Sequence, residues 1–136
     1  PIVLLGGKRE LEISKRLFEY SNDNVWNLTA NSSLLETAEI IKHSVITISG
    51  DTGVMHMASA FKVPQISIWG CTSPALGMFP YKGHNHSIMI EPLMHLKRPC
   101  TKLGNRCKYA PNWCIQSINP KRITDGIKLI LKKESF

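Results

Sequence analysis

Short apolar runs alternate with segments of helical periodicity over the first half of the chain. The apolar runs, rich in β-branched side chains, occupy residues 2–5, 25–28, 45–49 and 65–69. The segments between them repeat apolar side chains at helical spacing over residues 10–20, 33–43 and 53–61. Strands that alternate with helices over short connections form parallel sheets with helices on their faces. The pattern therefore predicts an α/β fold with a Rossmann-like parallel sheet, whose first strand is apolar enough to be buried on both faces.

Capping signals indicate where two of the helices begin. Ser33 and Glu36 have the spacing of a capping box, in which a hydroxyl and a carboxylate each accept a hydrogen bond from a backbone amide. Asn119 is a suitable cap for the last helix, and Pro120 suits its first position, where no N–H is needed. The side chains that we expect to be buried are Leu11, Ile13, Leu17 and Tyr20 in the first helix, Leu34, Leu35, Ala38 and Ile41 in the second, and Ile123, Ile127, Ile130 and Leu131 in the last.

The region between residues 72 and 119 lacks regular periodicity and is rich in Pro, Gly, His and Cys. Only residues 86–90 have the pattern of a strand there. We expect a basic loop that contains Cys and His at about 82–114, followed by a terminal helix at about 120–133.

Length and charge narrow the class of protein. The chain has 136 residues, enough for one domain with its own core. Its formal net charge is +7, and the basic residues become more frequent after residue 81, which favours anionic partners or a solvated basic face. Nucleic acid is not expected, because no binding motif or aromatic stacking platform accompanies the charge. The chain opens at Pro1, inside a predicted strand, so we expect it to be a piece of a longer chain.

Two consecutive predicted strands end in turns of small and hydroxyl-bearing residues. The first turn occupies residues 50–53 and leads into a helix, and the second occupies residues 70–74. In a parallel sheet, ligands bind at the edge formed by the carboxyl ends of the strands, and a helix N-terminus there attracts anions. Thr52 is placed to cap the helix, Gly53 allows a ligand to approach the backbone, and His56 can donate to an oxyanion. We predict a diphosphate site, although Asp51 could be a plain turn residue and His56 a plain helix-start histidine.

The order of these segments resembles the donor-binding half of glycosyltransferase family 9, the heptosyltransferases of lipopolysaccharide core assembly and their relatives. The resemblance rests on Asp-Thr-Gly-x-x-His at 51–56, the small-residue helix at 57–61, Val-Pro-Gln-Ile-Ser-Ile-Trp-Gly at 63–70 and Thr-Ser-Pro at 72–74. It implies a Rossmann-like domain that forms one half of a GT-B fold, here residues 1–136. It also implies a donor site that comprises Asp51, Thr52, Gly53 and His56 at the diphosphate and sugar, Thr72 and Ser73 beside them, Glu10 at the ribose, and Ser32 and Ser33 at the base.

The same resemblance implies an inverting, metal-independent sugar transfer that uses no cofactor beyond an ADP-heptose-like co-substrate. The general base and the cation that assists the leaving diphosphate would belong to an N-terminal acceptor domain that this chain lacks, so no catalytic residue is expected here. The implied acceptor is a phosphorylated glycolipid or glycan of lipopolysaccharide or surface-glycan synthesis. The implied location is the cytoplasm, with contact between the basic loop and the inner membrane surface as a further hypothesis. The last helix would cross back to the missing domain, which leaves its apolar stripe exposed or packed elsewhere.

Four cysteines, Cys71, Cys100, Cys107 and Cys114, form no C-x-x-C pair, so their spacing does not signal a zinc site. We expect reduced, unligated thiols. The alternatives are a disulfide among the last three, or a tetrahedral site completed by Cys71 or by His84, His86 or His95. His84 and His86 could also form a metal pair, but a solvated loop is the simpler interpretation.

Two other classes of function remain open from the sequence. One is a non-catalytic module that binds a nucleotide or phosphate at the same sheet edge. The other is an interaction module organised by a metal in the cysteine loop. No G-x-G-x-x-G follows a predicted strand, so flavin or NAD binding is not expected.

Overall fold

The computed structural model describes residues 1–21, 23–93 and 97–134. By internal contacts, the chain divides into two compact units, residues 1–40 and 41–136. The interpretation of the whole chain as one domain stays a prediction.

The first unit is built on a two-stranded parallel sheet. Strand β1 (Ile2–Leu4) leads through a 3₁₀ turn (Lys8–Glu10) into helix α1 (Leu11–Glu19), and strand β2 (Val25–Asn27) then pairs with β1 in parallel. Helix α2 (Leu34–Lys42) begins in this unit. The predicted capping box is confirmed: the Ser33 amide donates to Glu36 Oε2 at 2.7 Å, and the Glu36 amide donates to Ser33 Oγ at 3.3 Å.

The apolar faces predicted for this unit are not buried as expected. Leu17 is 54% exposed in α1, Leu35 is 81% exposed in α2, and Ile2 is 61% exposed in the strand expected to be covered on both faces. The other predicted core residues that the structure exposes are Ile13, Tyr20 and Leu34. Periodicity identifies which face of an element is apolar, but burial depends on what packs against that face. These predictions of burial are therefore wrong, although the elements themselves are confirmed.

The second unit is built on a three-stranded parallel sheet in the order β3-β4-β5. Strand β3 (Thr47–Gly50) is followed by helix α3 (Gly53–Ala60) and strand β4 (Gln65–Ile68), and strand β5 (Ile88–Ile90) comes after a long connection. Thr47 is paired with Gln65, and Ile66 with Ile88. A short helix α4 (Trp113–Gln116) and helix α5 (Lys121–Glu134) complete the unit. The predicted class, α/β with parallel sheets and flanking helices, is confirmed.

The core of the second unit lies between its sheet and α5. Ile66, Ile90, Ile118 and Ile130 form a buried cluster, with Ile123 and Ile127 packed against it. Gly126 allows the helix to approach the sheet, because a Cβ atom there would lie 3.1 Å from Ile66 Cδ1. Of the two outcomes expected for this stripe, exposed or packed elsewhere, the second is found, because α5 covers its own sheet. The predicted burial of Leu131 is wrong, since that side chain is 40% exposed.

Two further features concern the ends and lengths of helices. The Asn119 cap is confirmed, since Asn119 Oδ1 accepts a hydrogen bond from the Lys121 amide at 2.9 Å.

Among the described residues, no helix combines the length and the apolar character that crossing a bilayer would require.

Candidate functional site

The carboxyl ends of β3 and β4 bring the two predicted turns to one edge of the sheet. The strands are parallel neighbours, and Gly50 at the end of β3 is paired with Ile68 at the end of β4. The turn that begins with Asp51 and the turn that contains Thr72 therefore leave the sheet side by side. The expected juxtaposition of these two turns is confirmed, whereas the role of their side chains in binding a donor stays a prediction.

Helix α3 begins with an open first turn. Thr52 is its N-cap, with extended backbone angles of φ −144° and ψ 170°, and its hydroxyl makes no capping hydrogen bond. The Met55 amide donates to the Thr52 carbonyl at 3.1 Å. Gly53 and His56 are exposed, and Asp51 is half-buried. Amides at a helix start that no side chain caps are suited to an anion, because they carry the positive end of the helix dipole.

The second turn is more constrained. Ser73 is buried and caps a 3₁₀ turn (Pro74–Leu76), where its Oγ accepts a hydrogen bond from the Ala75 amide at 3.4 Å. The Thr72 carbonyl accepts a hydrogen bond from the Arg98 guanidinium at 2.9 Å. The Ser73 hydroxyl therefore stabilises the turn from within, and the Arg98 guanidinium stabilises its backbone from the neighbouring loop.

Three predicted site residues, Glu10, Ser32 and Ser33, lie in the first unit, while the other six lie in the second. Glu10 follows β1, and its Oε2 accepts a hydrogen bond from the Gly7 amide at 2.8 Å. Ser32 Oγ lies 2.9 Å from Thr37 Oγ1, and Ser33 forms the capping box. Because β1 and β2 are parallel, Glu10 and the two serines follow strands that end at the same edge of that sheet. Each of the three side chains has a local structural partner, and their roles toward ribose and base stay predictions.

The four cysteines form one cluster, an arrangement kept only as an alternative on sequence grounds. The Sγ atoms of Cys71, Cys100, Cys107 and Cys114 all lie within 4.8 Å of one another. Cys114 Sγ is 3.6 Å from Cys100 Sγ and 3.5 Å from Cys107 Sγ, and all four thiols are free. The signal in the sequence was the regular spacing of the last three, together with a fourth cysteine in the turn after a strand. The expectation that no metal binds here stays untested.

Several contacts hold the loop with the last three cysteines against the end of β4. The Cys100 amide donates to the Cys71 carbonyl at 2.8 Å. The Arg98 guanidinium donates to the carbonyls of Gly70 and Thr72, on either side of Cys71, and forms an ion pair with Glu91. The loop is thus hydrogen-bonded along the backbone of the turn at residues 70–72.

The cluster has unusual electrostatics. Burial acts to raise the pKa of Cys107, but hydrogen bonds from the amides of Tyr109, Cys114 and Ala110 outweigh it and lower the pKa to about 6. Burial and the hydrogen bond to Cys107 raise the pKa of Cys71 to about 11. Burial, with the sulfurs of Cys107 and Cys100, also raises the pKa of Cys114. Of these three thiols, Cys107 is therefore the first to ionise as the pH rises, and Cys71 and Cys114 ionise only at higher pH.

A second cluster joins the start of β5 to the end of α5. His86 Nδ1 is 2.5 Å from Glu134 Oε1, and His84 Nδ1 is 3.8 Å from the same oxygen. The three groups are close enough to share a metal ion. The interpretation of His84 and His86 as purely solvated is therefore corrected: both rings are half-buried beside a carboxylate. His95, the third histidine considered as a ligand, lies outside the described residues.

Comparison with known proteins identifies the family. A model of glycosyltransferase family 9 (heptosyltransferase) matches residues 1–108, well over half of the chain. The chain belongs to glycosyltransferase family 9. The resemblance inferred from the motif at 51–56 and the turn at 72–74 is thereby confirmed.

Relatives in family 9 are distant and longer than this chain. Lipooligosaccharide heptosyltransferase 2 of Campylobacter jejuni is 24% identical over 136 residues, which cover 96% of this chain and 41% of that protein. Lipooligosaccharide heptosyltransferase 2 of Haemophilus influenzae is 33% identical over 63 residues, which cover 46% of this chain and 18% of that protein. The chain thus spans about two-fifths of the Campylobacter relative.

Solved structures show the same fold. The structure of E. coli ADP-heptose LPS heptosyltransferase II matches 98% of this chain and 37% of its own, with a TM-score of 0.73 and 22% identity. The family 9 glycosyltransferase of Veillonella parvula matches 96% of this chain and 36% of its own, with a TM-score of 0.75. At this identity the likeness establishes fold, and the fold is that of family 9 glycosyltransferases.

Proposed function

We propose that this chain is the C-terminal, donor-binding half of a GT-B glycosyltransferase and that its ligand is a nucleoside diphosphate sugar of the ADP-heptose type. The observation that carries the proposal is the pair of turns at the carboxyl ends of β3 and β4, one of which opens into the uncapped first turn of α3. Membership of family 9 and the printed names of its relatives support the class of donor.

The diphosphate would lie at the start of α3. Amides at Gly53 and Val54 would donate to its oxygens, and His56, exposed in the first turn, would donate from its ring. Asp51 would accept from a sugar hydroxyl, and the Thr72 hydroxyl would contact the diphosphate from the neighbouring turn. Ser73 is expected to act through the shape of that turn, because its hydroxyl already caps the 3₁₀ segment.

In the first unit, Glu10 would accept from the ribose hydroxyls while it keeps one oxygen on the Gly7 amide. Ser32 and Ser33 would flank the base. The catalytic base would come from an acceptor-binding domain, since an inverting displacement needs a carboxylate on the acceptor side of the sugar. The acceptor would be a phosphorylated glycolipid or glycan of lipopolysaccharide synthesis, at the cytoplasmic face of the inner membrane.

A titration of amide chemical shifts with ADP, UDP, GDP and CMP in parallel tests the donor site. We expect shifts at Thr52, Gly53, His56 and Thr72, and larger shifts with ADP than with AMP, because only the diphosphate reaches the start of α3. His56→Ala should weaken ADP binding roughly tenfold or more, the value of a hydrogen bond to a charged group.

Lys128→Ala is the matched control, because it also removes a positively charged or chargeable group but from the exposed side of α5. It should leave ADP binding unchanged. If both variants weaken binding equally, the nucleotide is held only by the net positive charge of the chain. If no nucleotide shifts the residues at 51–56 even when the chain is joined to an acceptor domain of the family, the proposed donor site is wrong.

The same titration distinguishes the alternative of a non-catalytic phosphate-binding module. Such a module would respond to inorganic phosphate as strongly as to ADP, and the base would make no difference.

A further inference from the structure

The four cysteines lie where the irregular loop meets the end of the sheet. Cys71 lies in the turn after β4, Cys100 and Cys107 lie in the loop, and Cys114 lies in α4. We propose that these four thiols form a structural site for one metal ion of the kind that favours four sulfur ligands, zinc or iron, and that the ion anchors residues 98–116 to the end of β4.

The geometry suits a tetrahedral ion. A Zn–S bond is about 2.3 Å long, which places sulfurs at tetrahedral corners about 3.8 Å apart. Here the four Sγ atoms lie within 4.8 Å of one another, and two of the distances are 3.5 and 3.6 Å. Small side-chain rotations would bring them to equal separations. Four sulfurs in such an arrangement are typical of zinc or iron sites.

The site is closed, as structural sites are. Cys100 and Cys114 are buried, at 4% and 0% exposure, and Cys71 and Cys107 are half-buried. Four protein ligands leave no position for water or substrate, so the ion would serve the fold and not the chemistry. A surface hollow of about 340 Å³, lined by Thr101, Arg106, Cys107 and Lys108, leaves the Cys107 side of the cluster open to solvent.

The loop at residues 97–112 has few other stabilising contacts besides those near the cysteines. Residues 97–112 form no helix or strand, and Cys100 is the one buried side chain among them. Leu103, which could have formed an apolar contact, is 76% exposed. A chain of this length without apolar burial does not offset its loss of conformational entropy. Besides the hydrogen bonds of Arg98 and of the Cys100 amide, the four sulfurs are the place where the loop, the turn after β4 and α4 meet.

Charge around the site matches a metal thiolate. Four thiolates around a divalent ion carry two net negative charges, which are costly to bury unless cations lie nearby. The loop supplies a group of basic residues: Lys97, Arg98, Lys102, Arg106 and Lys108. Among these basic residues, Arg106 and Lys108 line the same surface hollow as Cys107, so part of the positive charge lies beside the site.

Metal analysis of the 136-residue chain tests the proposal. After purification, or after reconstitution with Zn²⁺ or Fe²⁺ under reducing conditions, we expect about one ion per chain. The element bound before any metal is added shows which ion the chain takes up on its own. Cobalt substitution should give the intense visible bands of a tetrahedral thiolate site. On the unmodified chain, bound metal should protect all four thiols from alkylation, and a chelator should restore their reactivity.

Variants separate this site from the histidine cluster. Cys114→Ser should weaken metal binding by more than the roughly 10- to 100-fold that loss of an outer partner costs. His86→Ala should keep the ion and its cobalt spectrum, because that residue belongs to the other cluster. Absence of thiolate-bound metal after reconstitution, or thiols that react equally fast with and without metal, would overturn the proposal. Both readouts use the unmodified chain, so they remain decisive if Cys114→Ser does not fold.

Discussion

The sheet of the second unit and the cysteine loop beside it are ordered in different ways. In the sheet, order comes from a backbone ladder and from an apolar cluster covered by α5, with Ile66 and Ile130 at 0% exposure. In the loop at 97–112, one side chain is buried, and that side chain is a cysteine. The sheet is thus stabilised by many small contributions from apolar burial, whereas the loop depends on a few polar and sulfur contacts. A change in the sheet core should therefore unfold the whole unit, whereas a change in the loop should unfold only the loop.

Ile130→Ala should produce the largest effect, because it opens a cavity in the core under α5. We expect a loss of about 2–5 kcal/mol in the free energy of unfolding, measured by denaturant titration. Leu131→Ala is the matched control, since Leu131 follows in the same predicted stripe but is 40% exposed. A similar loss for both variants would show that the core does not lie where we place it.

Metal removal should loosen the loop and spare the sheet. An ion that binds only the native state stabilises it by about 4 kcal/mol at a thousandfold excess over its Kd. Hydrogen exchange with and without chelator should show loss of protection at residues 98–116 and unchanged protection in β4. If β4 exchanges faster to the same extent, the loop and the sheet are one cooperative unit and the contrast between them fails.

Alanine substitution of two glycines with positive φ measures how tightly the cysteine loop packs against the turn that contains Thr72. Gly104 has φ +66°, and a Cβ atom there would lie 2.5 Å from Thr72 Cγ2. Gly77 has φ +84°, with nothing within 4 Å of its Cβ position. Gly77→Ala should cost about 1–2 kcal/mol from backbone strain alone, and Gly104→Ala should cost more. Equal losses in thermal or denaturant unfolding would show that the loop does not press on Thr72.

The capping box of α2 should give the smallest effect and a defined pH dependence. Hydrogen bonds from the Ser33 amide and hydroxyl lower the pKa of Glu36. A carboxylate with a lowered folded pKa adds stability above its unfolded pKa and loses that contribution as the pH falls through its folded pKa. Ser33→Ala should therefore cost about 1 kcal/mol at neutral pH, and the difference from wild type should shrink in acid, below the ordinary Glu pKa of about 4.3.

Unfolding at a series of pH values measures that difference. Glu12→Gln, which neutralises a first-turn carboxylate of α1, is the control and should change stability less. A cost for Ser33→Ala that is constant down to acid pH would mean that the Ser33 hydroxyl does not contribute to the lowered pKa of Glu36.

The elements of the fold were readable from sequence because their signals are local. Strands at 45–49 and 65–69 end where small residues interrupt an apolar run, and Ser33 and Asn119 mark helix starts by their own hydrogen bonds. Two turns at one sheet edge then follow from parallel pairing alone. What binds there does not follow, because the side chains of Glu10 and Ser73 also serve the turns in which they lie.

The features that could not be predicted from the sequence all depend on contacts between distant parts of the chain. Leu35 and Leu17 lie on faces with helical apolar spacing, but spacing does not supply a covering partner. Cys71 and Cys114 come together only because a long irregular connection returns to the end of β4. Without regular periodicity in that connection, no local rule could place its cysteines.

Arg98 has a consequence for which substitutions the chain can accept. Its guanidinium reaches two carbonyls, at Gly70 and Thr72, and one carboxylate, at Glu91. A lysine ammonium is a single point donor and cannot span three acceptors at once, so Arg98→Lys would be a severe change despite its preserved charge. Thr72 contributes its carbonyl to this network, so most side chains at that position would leave the bond intact. Among natural or laboratory variants of this chain, tolerance should therefore be lowest at the donor and higher at the carbonyls that it binds.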